Sequence, residues 1–132
     1  MKKLLILIIS LSFFFSCEKE NASAEEEISS IITHTVFVGN FYYDPPNITI
    51  NQGDEVRWIN DGGLHDVNGE INSLTNVNFN NPESFNSPST SIVGAEIYRH
   101  TFSISGFYNY DCSVGGHAIN GMTGTITVLA TD

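Results

Sequence analysis

Cys112, His117 and Met122 follow one another at equal five-residue intervals in the stretch Cys-Ser-Val-Gly-Gly-His-Ala-Ile-Asn-Gly-Met. A thiolate and a thioether are soft donors and imidazole is intermediate, so three such side chains on one loop point to metal chemistry. Two imidazoles, one thiolate and a weak axial thioether are the donor set of mononuclear blue copper. The loop supplies all of these but one imidazole, so a second His must arrive from elsewhere. Gly115, Gly116, Gly121 and Gly124 tolerate backbone angles that a Cβ disfavours, which lets so short a loop curl its side chains toward one centre. Ser113 and the backbone amides near Cys112 are candidates to donate hydrogen bonds to the sulfur and tune its electron density. Taken singly, each residue has an ordinary reading: Cys112 as a small buried hydrophobe, Met122 as core filler, a histidine as surface or core. Their joint spacing favours the metal.

With these residues in view, the chain resembles the cupredoxin family of small blue copper proteins, which includes plastocyanin, azurin, rusticyanin and auracyanin. The spacing from Cys112 to His117 is closer to that of the azurin, rusticyanin and auracyanin members than to plastocyanin. The resemblance implies His65 as the missing ligand, because Asn60-Asp61-Gly62-Gly63-Leu64-His65 follows the strand-like Gly53 to Ile59 as the family's first ligand does. It implies one copper per chain, held by His65, Cys112, His117 and Met122. Where the family commonly has Asn after this His, helping to hold the copper loop, this chain has Asp66. Gly106-Phe107-Tyr108 resembles the family's tyrosine corner and gives Tyr108 a structural role. The likeness spans roughly residues 33 to 132.

The elements that must position these residues read as strands. Val36 and Val38 alternate with Thr35 and Phe37, Ile48 and Ile50 with Thr49 and Asn51, and Val56 and Trp58 face away from Arg57. Trp58 is a core anchor. Asp44-Pro45-Pro46 and Asn51-Gln52-Gly53-Asp54 are turns. Alternation returns at Ile97 to Ile104, at Phe107 to Cys112 and at Gly124 to Leu129; Tyr108, Tyr110 and Cys112 share one parity, which buries the sulfur. Short strands without a helical period predict an all-β antiparallel sandwich, and the resemblance implies that it is a Greek-key β-sandwich of cupredoxin type. Residues 66–95, rich in Asn with Pro82 and Pro88, read as an insertion that is a long loop or carries a short helix.

Upstream of this domain, residues 1–16 combine Lys2 and Lys3 with the apolar run Leu4 to Phe15, the pattern of a secretory signal and too short for a membrane span. Cys17 stands directly after it, as in a bacterial lipoprotein signal whose Cys is lipidated. Residues 17–32, with Glu18, Glu20, Glu25, Glu26 and Glu27, read as an acidic tether, and residues 33–132 as the domain. Export to the cell envelope, on its periplasmic or outer-membrane face, follows from that reading. A lipidated Cys17 leaves Cys112 unpaired, and copper gives a lone thiol reason to persist in an oxidising compartment.

The expected function is one-electron transfer, since four protein ligands leave no open position for a substrate. The imidazole of His117 is the expected exit, rimmed by Ala118, Ile119, Gly116, Gly62, Gly63 and Leu64. A net charge of −10, near −12 without the signal, disfavours nucleic acid and suits a basic redox protein such as a c-type cytochrome or terminal oxidase. The domain is expected to be monomeric, with the lipid anchor as its membrane contact. An alternative use of the same four residues is copper capture or delivery. A multicopper enzyme needs further His-rich sites, and only His34 and His100 remain, each expected to be an ordinary strand residue.

Overall fold

In the computed structural model, residues 30–132 are described. The expected signal, the lipidation site at Cys17 and the tether up to residue 29 lie outside them. Nine strands follow in order: β1 (Thr33–Gly39), β2 (Tyr42–Asp44), β3 (Asn47–Asn51), β4 (Glu55–Asn60), β5 (Ile71–Asn72), β6 (Val77–Asn78), β7 (Glu96–Thr101), β8 (Gly106–Asp111) and β9 (Thr123–Leu129). One sheet has the order β2-β1-β4-β7 and the other β3-β9-β8, while β5 and β6 pair as a separate hairpin. The two larger sheets form the expected β-sandwich.

Strand parity builds the core. Val36 and Val38 of β1, Val56 and Trp58 of β4, Tyr108 and Tyr110 of β8, and Ile126 and Val128 of β9 all face inward and cluster with Cys112 and Met122. Trp58 is fully buried and stacks near Tyr98 and Phe85. The Tyr108 hydroxyl donates to the Ile104 carbonyl at 2.6 Å, the bond expected of a tyrosine corner. This tie closes the turn entering β8 and so steadies the strand that delivers Cys112.

Two strand pairs depart from the antiparallel expectation. β1 runs parallel to β4, and β3 runs parallel to β9. The cause lies in the connections: after β2 the chain passes through Pro45 and Pro46 into the opposite sheet as β3. It then returns as β4 in the same direction as β1, which a local hairpin cannot produce. Parity within a strand reports which face is buried and carries no information on the partner's direction.

Of the two expected forms of the insertion, the long loop is the one observed. Residues 66–95 contain no helix; they hold the β5–β6 hairpin and short bridges from Asn68 to Asn86 and Asp111. Its asparagines act as hydrogen-bonding hubs. Asn68 Nδ2 donates to the Asp111 carboxylate at 2.6 Å, and Asn81 accepts from the Asn109 amide at 2.8 Å. Among the described residues, no helix is long and apolar enough to cross a membrane.

Candidate metal centre

Three segments converge at one end of the sandwich: the turn after β4, the end of β8, and the loop from Cys112 to Met122. The turn after β4 is organised by Asn60, which is buried. Its side-chain oxygen accepts from the Gly62 amide at 2.9 Å, and its Nδ2 donates to the carbonyls of Gly63 at 3.0 Å and Thr90 at 3.2 Å. Gly63 has φ +95°, and a Cβ there would lie 2.6 Å from His65 Nε2 and 2.5 Å from Asn40 Oδ1. Only glycine satisfies both that backbone angle and that approach. His65 then pairs with Thr90 through two backbone hydrogen bonds of 3.1 and 2.9 Å, so the far end of the insertion holds the ligand strand.

The C-terminal loop is tied by its own backbone. Cys112 N donates to Met122 O at 3.2 Å, Met122 N to His117 O at 3.1 Å, and His117 N to Val114 O at 3.1 Å. A short 3-10 turn at Ala118–Asn120, closed by Gly121 in the left-handed region, carries the chain from His117 to Met122. Gly115 also has positive φ, but Gly116 and Gly124 do not. Gly124 serves another need: a Cβ there would meet the Tyr110 ring at 2.2 Å.

These constraints bring the side chains together. His65, Cys112 and Met122 are buried and His117 is half-buried, and the ligating atoms of His65, Cys112 and His117 lie within 4.8 Å of one another. Cys112 Sγ is 3.4 Å from His117 Nδ1 and 4.0 Å from His65 Nδ1, and the two Nδ1 atoms are 3.2 Å apart. Around one first-row ion, at about 2.0 Å from nitrogen and 2.3 Å from sulfur, three donors in a plane lie roughly 3.5 Å apart. The observed triangle fits that size.

Proton placement supports the same fit. His65 Nε2 lies 2.7 Å from the Gly62 carbonyl, which can only accept, so Nε2 carries the hydrogen and Nδ1 keeps its lone pair. That lone pair faces another imidazole nitrogen and a buried sulfur, an arrangement a cation would satisfy. Desolvation holds His65 below the ordinary imidazole range, aided by the neighbouring His117 and opposed by the Gly62 carbonyl. Burial pushes the Cys112 thiol up to about 11, while the backbone amides of Asp66 and Val114 favour its thiolate. A thiol this reluctant to ionise alone needs a cation beside it to become a good ligand.

Several expectations are corrected here. Ser113 is not a donor to the sulfur: its amide donates to Asp66 Oδ1 at 2.7 Å and its hydroxyl to Asp66 Oδ2. The backbone amides of Asp66 and Val114, rather than Ser113, favour the thiolate against its burial. Ala118 is buried and does not join the rim, whereas Phe41 does, its ring lying edge-on to His117 with centroids 5.2 Å apart. Phe41 has φ +68°, in a tight turn between β1 and β2. Nothing in its local sequence signals that conformation, while Asn60, an Asn between a strand and Gly-Gly, carried a recognisable turn signal. His34 pairs with Asp54 at 3.0 Å, and His100 stacks near Phe85 with its Nε2 3.4 Å from Glu83. Both are structural, as expected.

Known proteins resemble this chain in sequence or fold. Plastocyanin from Scenedesmus fuscus is 33% identical over 95 residues, covering 68% of this chain and 89% of that protein. A reduced amicyanin variant matches in fold with a TM-score of 0.55 at 24% identity, over 73% of this chain and 81% of that one. A copper-containing nitrite reductase from Thermus scotoductus SA-01 matches with a TM-score of 0.59 at 25% identity, over 76% of this chain but 23% of that chain, so the fold also occurs inside an enzyme. The family model for copper binding proteins of the plastocyanin/azurin family matches residues 31–129. That span takes in both sheets and all four clustered residues, and the chain therefore belongs to the plastocyanin/azurin family of copper-binding proteins, a cupredoxin whose His-Cys-His-Met cluster fits one copper ion as a type 1 site.

Proposed function

We propose that this domain is an electron carrier in which His65, Cys112, His117 and Met122 would hold one copper ion. The observation that carries the reading is the triangle of two Nδ1 atoms and one Sγ, with separations of 3.2 to 4.0 Å, in which Gly62 fixes the His65 tautomer. Copper bound there supplies a one-electron Cu(I)/Cu(II) couple in a donor set that suits both states.

The chain's own residues do the rest. The Gly62 carbonyl orients His65, and the amides of Asp66 and Val114 favour the thiolate of Cys112. Cys112 and Met122 belong to the same buried apolar core as Val38, Tyr43 and Tyr110, which keeps water from the core side of the cluster. His117 is half-buried with exposed Phe41 edge-on to its ring, and Leu64 and Ile119, each close in sequence to one of the two imidazoles, are exposed as well. Such an apolar rim suits a small, transient contact, in which desolvation is cheap and release is fast. With four protein donors no position remains for a substrate, so the role is carriage rather than catalysis.

The acidic chain suits a basic partner such as a c-type cytochrome or terminal oxidase. Residues 1–16 as an export signal, Cys17 as the lipidated residue and residues 17–32 as a tether place the monomeric domain at the cell envelope. The test is the visible and paramagnetic resonance spectrum of the domain loaded with Cu(II). An intense blue band with fast self-exchange supports the carrier. Colourless binding that prefers Cu(I), with ready loss to a chelator, overturns it in favour of copper delivery.

A further inference from the structure

Asp66 follows directly on one proposed ligand, and Ser113 directly on another. Its carboxylate, only 6% exposed, accepts from both the amide and the hydroxyl of Ser113, and its backbone carbonyl accepts from the buried Tyr43 hydroxyl at 2.7 Å. The residue therefore clamps the His65 segment to the Cys112 loop. An amide side chain would do this equally well, since Asn offers one acceptor for the Ser113 amide and a donor for its hydroxyl. What Asn would not bring is a formal negative charge at Ser113, the residue next to Cys112. A charge there acts on the centre through protein interior, where Coulomb interactions fall off less than in water.

We propose that Asp66 is a positioning residue whose carboxylate also biases the centre toward its divalent, oxidised state, lowering its reduction potential. This rests on the copper reading above. A fixed negative charge stabilises the doubly charged ion more than the singly charged one, so the sign follows without reference to the ligand geometry. The carboxylate also lines a polar cavity of about 550 Å³ with Asn68, Glu70, Ser73 and Asn86. Glu70 there is exposed, and provides a comparison charge at the cavity mouth.

The experiment measures the potential and the Cu(I) and Cu(II) affinities of the copper-loaded wild type, Asp66→Asn and Glu70→Gln at one pH and two salt concentrations. Asp66→Asn keeps the blue band and raises the ratio of Cu(I) to Cu(II) affinity by about tenfold or more. That rise persists at high salt, because the group is buried, while the smaller effect of Glu70→Gln is screened away. An unchanged or lowered potential in a blue Asp66→Asn protein overturns the proposal and leaves the copper site standing. A wild type without the band overturns the copper reading, and the proposal with it. If Asp66→Asn does not fold, Asp66→Ser, which retains an acceptor on a shorter side chain, is read in the same way.

Discussion

The two imidazoles of the cluster are held by opposite means. His65 is fully buried, its backbone paired with Thr90 and its Nε2 hydrogen-bonded to Gly62, with no room for even a methyl group at Gly63. His117 is half-buried on a loop, tied by backbone bonds to Val114 and Met122 and touched on one side by Phe41. One ring is set by the sandwich and the other is offered to the surface. Under the proposed carrier function the contrast gives a division of labour: the buried imidazole would determine where the metal sits, and the open one how electrons reach it.

The largest expected effect comes from removing the vertex that both imidazoles share. Cys112→Ser, nearly isosteric but much harder, abolishes the blue band while circular dichroism shows an intact sandwich; a retained band would remove Cys112 from the site. Next is the inner ring. Gly63→Ala places a Cβ 2.6 Å from His65 Nε2 at a φ of +95°, so the ring or the turn must shift. Copper affinity falls by about 10–100-fold, read by chelator competition, as for lost outer-shell support at other metal sites.

A change of similar size on the outer side separates the two roles. Ile119 is 78% exposed on the 3-10 turn after His117. Ile119→Ala leaves copper affinity and potential unchanged and slows electron self-exchange by several-fold, in the order of one weakened apolar contact. Loss of copper affinity here would erase the distinction between the rings.

The smallest effect lies at the opposite pole, one strand length from either imidazole. Asp54, buried in the turn before β4, accepts from the amides of Ile32 and Asn51 at 3.2 and 3.0 Å and faces His34 Nε2. Desolvation raises its carboxyl, but the bonds from Asn51, His34 and Ile32 together outweigh it and hold it below the ordinary range. A depressed carboxyl stabilises the fold above its unfolded pKa, and that stability is lost as pH falls through the folded one. Asp54→Asn therefore costs about 1–3 kcal/mol near neutral pH and flattens the acid limb of thermal stability, with the blue spectrum unaltered.

Much of this was legible from residues alone. The Cys-His-Met spacing sits on one loop, where sequence distance is spatial distance, and strand parity placed Tyr108, Tyr110 and Cys112 on the buried side. Trp58 fell where its strand parity put it, and the Tyr108 corner where the family resemblance implied it. The insertion was opaque because its order comes from Asn68, Asn81 and Thr90 reaching partners far along the chain, a matter on which local composition is silent. Phe41 escaped notice because its contact with His117 depends on a turn whose shape no neighbour announces. Ser113 was assigned to the wrong acceptor because two strong oxygens on Asp66 compete better for its hydrogens than a sulfur does.

Donor chemistry, its spacing and the faces of the strands were thus settled by the order of amino acids, since each is a local property of side-chain type and backbone period. The direction in which β1 meets β4, the grip of Thr90 on His65 and the clamp between Asp66 and Ser113 were decided only in three dimensions. Each of these joins residues separated by at least twenty positions, and which distant groups meet is determined by the packing of the whole sandwich.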